Sequence, residues 1–183
     1  MKAKFRIGII GALILVILFS IPALRSAYSF GTCGDSDEEL FAFLESFQMA
    51  KVNELHKVKE HGRVKAVIYD REDIGLCVAT FERELFGLRW KYSGMNALRE
   101  NGVQAHGGWH NVGIRGSVCD VTICGDNRDG SVGSYVMTDC STVARDNLES
   151  DYIIDIYILD GVEEFPKALQ QRTPDGAIFV PEY

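Results

Sequence analysis

Eighteen consecutive positions without a charge, IGIIGALILVILFSIPAL at residues 7–24, constrain this chain more than any other feature. A helix needs about 20 apolar residues to cross the hydrocarbon core of a bilayer, and about 17 is the lower edge. The run is apolar on every side, unlike the one-sided stripe of a helix packed on a soluble core. Lys2, Lys4 and Arg6 precede it and Arg25 follows it. Two expectations remain, a retained membrane anchor and a cleaved export signal. Signal peptidases prefer small residues one and three positions before their cut. A cut after Ala27 puts Arg25 at the third position and a cut after Ala23 puts Ile21 there, so a retained anchor is favoured. The cations on the N-terminal side keep that end in the cytoplasm by the positive-inside rule. The expected location is the cell membrane, single-pass, with the C-terminal domain outside; secretion is the alternative.

Charge separates the two parts further. The first 25 residues hold four cations and no acid, leaving 15 Lys and Arg against 26 Asp and Glu in the rest. Nucleic-acid binding relies on clustered cations that displace counterions from phosphates. An acidic domain presents the opposite field, so nucleic acid is excluded as a partner. The expected partners are the lipid bilayer, through residues 7–24, and an unknown protein or envelope component. No cofactor motif is present.

The expected organisation is an anchor or signal at 1–27, a spacer at 28–35, a helix plus β-meander at 36–97 and a β-rich part at 98–183. Ser36 and Glu39 have capping-box spacing. Leu40, Phe43, Leu44 and Phe47 then follow at helical intervals, which predicts a helix over about 37–50 with one apolar face. VNELHKVKE, VKAVIYD, GLCVATF and FGLRWKYSG read as strands separated by short Gly-containing or charged turns. Alternation puts Trp90 and Tyr92 on one face. Residues 95–116 are Gly-rich and predict a connection with one short strand near 102–106. SVCDVTIC, GSYVMTDC and YIIDIYIL are further strands, and Asp175-Gly176 marks a last turn. The fold class is α+β: a transmembrane helix, one helix on an antiparallel sheet, then further β-hairpins.

The segment CGDNRDGS at 124–131 admits three interpretations. As a calcium loop it fails, because position one would be Gly125 and position twelve Val136. GDNRDGS also resembles the GDNRDNS box of bacterial type I signal peptidases, whose resemblance implies an anchored serine hydrolase with a Lys base. Here Ser93-Gly94-Met95 lacks the Pro and Thr of that family's serine box, and no Lys occurs between Lys91 and Lys167. Without a base to take its proton, a serine hydroxyl is a poor nucleophile. As a two-residue type I′ hairpin loop, Asp129-Gly130 has the preferred sequence. That turn puts Arg128 opposite Ser131 and, further down the ladder, Cys119 opposite Cys140, at a spacing a disulfide can bridge. Cys33, Cys77 and Cys124 complete an odd set of five. Cys124 falls on the opposite face from Cys119, and a Cys33–Cys77 pair has no spacing rule behind it. No C-x-x-C motif occurs.

His106 and His110 bracket HGGWH, but two glycines oppose the helix that an i, i+4 metal pair needs. A solvent-facing loop is expected there. His56 and His61 flank a hairpin turn and are expected to be exposed. Seven acids lie in 146–164, mostly flanking YIIDIYIL, where charge keeps a strand soluble. Asp155 sits inside that apolar run and must face the open side of the sheet or meet a cation.

The layout as a whole, with ICGDNRDGSVGSYVM and DYIIDIYIL, resembles uncharacterised single-pass membrane proteins of Gram-positive bacteria. That resemblance implies no activity. The expectation is a non-enzymatic interaction or envelope-associated module, with no catalytic or metal residue assigned. The alternative is an extracytoplasmic hydrolase, signal-peptidase-like or metal-dependent, centred on carboxylates or on His106 and His110.

Overall fold

Ser36 starts the one helix among the described residues, α1 (Asp37–Gln48), by accepting a hydrogen bond from the Glu39 amide at 3.2 Å. Three acids in its first turn complement the helix dipole, and Met49 ends it in the left-handed conformation. The computed structural model describes residues 31–84, 89–111, 117–137, 143–160 and 169–179; the apolar run at 7–24 lies outside the described residues. Among the described residues no helix is long and apolar enough to cross a membrane.

The described residues also form twelve strands: β1 (Thr32–Cys33), β2 (Val52–His61), β3 (Val64–Arg71), β4 (Gly75–Glu84), β5 (Arg89–Ala97), β6 (Gly102–Asn111), β7 (Ser117–Asp126), β8 (Ser134–Met137), β9 (Val143–Arg145), β10 (Tyr152–Asp160), β11 (Leu169–Arg172) and β12 (Ile178–Phe179). They form three antiparallel sheets. The first has the order β1-β5-β4-β3-β2, the middle β10-β7-β6 and the third β12-β11-β8-β9. The predicted meander is present as β2 to β5, paired in sequence. The expected spacer carries β1, which pairs with β5 through Thr32–Lys91 and Cys33–Trp90.

The layers follow from alternation. On β3, Val67 and Tyr69 join Leu40 and Leu44 of α1 in one core, while Val64, Ala66 and Ile68 join Cys124, Ile154 and Ile156 of the middle sheet in another. β3 is therefore buried on both sides, which is why its sequence reads as nearly continuous apolar residues. Trp90 and Tyr92 do share the helix-facing side. Phe43, Phe47, Phe81 and Tyr92 form an aromatic cluster there, with ring centroids 4.9–6.1 Å apart. Burying each of Leu40 and Leu44 contributes about 1.5–3 kcal/mol. The middle sheet repeats the pattern. Cys119, Val121 and Ile123 of β7 and Ile153 of β10 pack against Tyr135 and Met137 of the third sheet. A side-chain amide ties the third sheet to β6: Gln171 bonds both the N–H and the C=O of Val103 at 2.8 Å.

Two expectations are overturned. The short strand expected near 102–106 is there but runs on to Asn111 as β6, paired with β7 along its length, where an irregular connection was expected beyond 106. And β7 and β8 do not form a hairpin. Both edges of β7 are occupied, by β6 and β10. The chain turns at 127–130, with the Gly130 amide on the Asn127 carbonyl at 2.9 Å. Gly130 is left-handed (φ 67°) but Asp129 is not, so the turn is not type I′. Asn127 then bonds both backbone groups of Val132 (2.8 and 3.1 Å) and directs the chain into the third sheet. The apolar residues of β7 and β8 meet face to face, across a sandwich, rather than edge to edge. Cys119 consequently stands in register with Trp109 and Leu159. The ladder that placed it opposite Cys140 does not exist, and Cys140 lies outside the described residues.

At Gly125 on β7 the backbone of β6 leaves no room for a side chain. A Cβ there would sit 2.0 Å from the Gly102 oxygen and 2.7 Å from the Val103 Cα, both backbone atoms that cannot move aside. At Gly94 on β5 a Cβ meets nothing within 4 Å. Gly125→Ala is expected to destabilise the fold by about 3 kcal/mol, and Gly94→Ala to be neutral or stabilising by up to about 1 kcal/mol. Urea unfolding of the two variants beside the parent protein checks both.

Candidate functional site

The charged residue inside the apolar run of β10 gathers a polar cluster drawn from all three sheets. Asp155 is 5% exposed. Its Oδ1 accepts from Lys59 on β2 at 2.6 Å and from the Arg145 guanidinium on β9. Its Oδ2 accepts from the Tyr135 hydroxyl on β8 at 2.8 Å. Tyr135 has one proton and gives it to the carboxylate, so Tyr157 on β10 donates to Tyr135 across 2.7 Å. Burial works against the charge on Asp155, but the bonds from Lys59, Arg145 and Tyr135 outweigh it and hold the carboxyl below the ordinary Asp range. The Arg145 pKa is raised by the same bond, and burial pushes the Tyr135 hydroxyl far up.

Lys57 lies at the margin of this cluster. Its Nζ is 2.8 Å from Ser150 Oγ and 2.5 Å from the Tyr152 carbonyl oxygen, which also accepts from Ser150 at 2.7 Å. Burial is the first cause that lowers the Lys57 pKa, and the neighbouring charges of Arg145 and Lys59 add to it. The amine donates to the serine oxygen, while burial biases it toward releasing a proton. Reading along the sequence misses this pair because 93 residues separate its members.

CGDNRDGS is occupied with its own folding. Arg128 forks onto Asp126, with Nε–Oδ1 at 2.9 Å and the terminal nitrogen on Oδ2 at 2.5 Å. The guanidinium also lies 5.5 Å from the centre of the Tyr152 ring. Burial raises the Asp126 pKa and the Arg128 bonds more than reverse that. Asp129 accepts from the Ser131 amide at 3.0 Å, a local Asx turn.

The other sequence candidates are dispersed. His106 and His110 lie on β6, in register with Thr122 and Val118, and not in a loop. His106 is half-buried, and burial lowers its pKa; the His110 side chain lies outside the described residues. His61 is exposed as expected, while His56 is half-buried and stacks on Tyr152 with ring centres 4.5 Å apart. Cys33 and Cys77 are free thiols in the helix-side core, each pushed up to about 11 by burial. Cys124 is a free buried thiol on the opposite face of β7 from Cys119. Asp146, Glu149 and Asp151 are exposed. Among the described residues no three His, Cys, Asp or Glu side chains gather as a metal site. No protein-family model, curated protein or solved structure matches this chain.

A carboxyl whose pKa is depressed by folding stabilises the native state above its unfolded value of about 3.9 and ceases to do so as the pH falls through the lower native value. Lys59 and Arg145 are both about 40% exposed (40% and 43%), so water screens part of the attraction. Asp155→Asn is therefore expected to lower stability by about 2–3 kcal/mol at neutral pH. The gap to the parent protein should close as the pH drops below the unfolded Asp value. Urea unfolding at stepped pH measures it.

Proposed function

We propose that this protein is a membrane-tethered extracytoplasmic module that acts by binding a partner in the cell envelope rather than by catalysis. The observation that carries the location is the eighteen-residue uncharged run with its cations on the N-terminal side. The first described residues fit a tether. The Gly31 carbonyl accepts from the Tyr92 amide at 2.8 Å, so the folded body begins within seven positions of the end of the run. The binding role rests on the state of the Asp155 cluster. Both carboxylate oxygens are committed to protein donors, which is the pattern of a clamp between layers rather than of a group awaiting substrate.

Lys57 and Ser150 support a second function, hydrolysis of an acyl bond outside the cell. In that chemistry neutral Lys57 takes the Ser150 proton as the hydroxyl oxygen attacks a carbonyl and returns it to the leaving group as the acyl bond breaks; a water, giving its proton to Lys57, then attacks the serine ester, and the acid leaves as Ser150 regains its proton. The serine proton now points to the Tyr152 carbonyl, so it has to turn to Lys57 first.

A phosphatase that is active only outside the cytoplasm, fused after Asp35, is expected to be active, and a cytosol-restricted fluorescent reporter at the same point to be dark. The reverse result would sink the location. For the second function, a fluorophosphonate is expected to label Ser150, with labelling rising with pH about a midpoint below the usual Lys value of about 10.4. It should disappear in Ser150→Ala and fall by about 100-fold in Lys57→Met. Absence of labelling in the parent protein would remove the second function.

A further inference from the structure

The chain enters the folded body beside the end of α1. The Gly31 carbonyl accepts from the Tyr92 amide at 2.8 Å, and a Cβ on Gly31 would meet the Phe47 ring at 3.7 Å. The uncharged run ends at Leu24, seven positions before Gly31. An extended chain advances at most about 3.3–3.6 Å per residue, so Gly31 stays within about 25 Å of the end of the run. A folded domain of about 150 residues has a radius of gyration near 15 Å and is about 40 Å across. The tether is shorter than the body it holds. It therefore keeps the entry side of the body, and not the far side, against the surface in which the run is embedded.

That side carries two large apolar side chains turned out to solvent. Met49 is 94% exposed and occupies the left-handed position that ends α1 (φ 51°). Glycine and asparagine are the usual residues there, so a long apolar side chain is not what the backbone asks for. Ile74 is 45% exposed in the turn between β3 and β4. The backbone holds the two segments together. The Glu72 amide of that turn bonds the carbonyl of Lys51, two residues after Met49, at 3.1 Å. Arg71, where the turn begins, reaches the Gln48 side chain at 3.5 Å. Phe47 belongs to the aromatic cluster and serves here only to mark where the chain enters. The flanking charges are of both signs: Arg71 pairs with Asp73 at 2.6 Å, and exposed Lys51 is joined to exposed Glu72 through the backbone.

We propose that Met49 and Ile74 form a docking surface for the lipid bilayer, entering the boundary between headgroups and acyl chains. The contact is apolar and needs no anionic lipid, because the charges around it do not favour one sign. This inference rests on the tether proposed above and adds an orientation to it. α1 packs on the outer face of the first sheet, and the third sheet packs on the far side of the middle one. With Met49 and Ile74 on the membrane, the third sheet faces away from it, toward a partner in the envelope.

The test places the full-length protein in vesicles of phosphatidylcholine alone, with or without bromine on the acyl chains near the headgroup. Bromine quenches an indole that reaches the acyl chains, and the signal read is the fluorescence that a new indole adds to that of the parent protein. Met49→Trp and Ile74→Trp are each expected to lose at least about half of that added signal in brominated vesicles, and Ile178→Trp, exposed on the third sheet, less than about a tenth, since docked apolar faces reach only about 5–10 Å into the boundary. Either of the first two variants carries the test if the other does not fold. Retention of the protein through an alkaline carbonate wash, with neither variant quenched more than Ile178→Trp, overturns the docking surface alone and leaves Met49 and Ile74 to a protein partner or a second copy. Release of the parent protein by that wash removes the tether, and the docking surface with it.

Discussion

One carboxylate connects all three sheets. Asp155 belongs to the middle sheet, Lys59 to the edge of the first, and Arg145 and Tyr135 to the third. Taking an acid out of water is costly unless charge and hydrogen bonds replace the solvent. Here three donors do so, and each comes from an element that must be correctly stacked to reach it. The apolar cores on either side of the middle sheet are non-directional and tolerate small sliding motions. The polar cluster does not, so it sets the registration of the layers while the cores supply most of the driving force. Lys57, tied to Ser150 and Tyr152, extends the same fixation toward the surface.

What was legible in the sequence depended on how local the determining contacts are. The helix carries its own start signal in Ser36, and its stripe of Leu40 and Leu44 names its buried face. The strands β2 to β5 pair with their sequence neighbours, so periodicity and turn residues suffice. The failure at 124–131 has a physical cause. Asp-Gly is compatible with several turns, and choosing a hairpin assumed that β7 had a free edge. That edge is taken by β10, more than two dozen residues further along, and nothing near the turn encodes it. β6 was read as a strand near 102–106 only, because its glycines weaken the alternation, and its pairing with the buried β7 carries it to Asn111.

The candidate sites follow the same logic. Asp155 stood out because a charge inside an apolar run has to face water or meet a cation, and it is buried against two; which cations depended on the stacking of sheets. Lys57 and Ser150 are unremarkable residues in their own segments. His106 was noticed for its spacing to His110, yet what distinguishes it is that it lines a cavity between the first and middle sheets. Polar side chains at interior positions of strands, such as Asp120 and Thr122 among the apolar residues of β7, were the available signal for that cavity.

The position of β10 in the chain has a consequence for biosynthesis. Until residues 152–160 have left the ribosome, β7 is paired on one side only, and the side of the first sheet that carries Ile68 and Val78 lacks Ile154 and Ile156. The nascent polypeptide therefore presents an unprotected strand and a sticky surface until that stretch emerges, a state that invites chaperones before it can close. The layers close late, when only about two dozen residues remain to be added after β10.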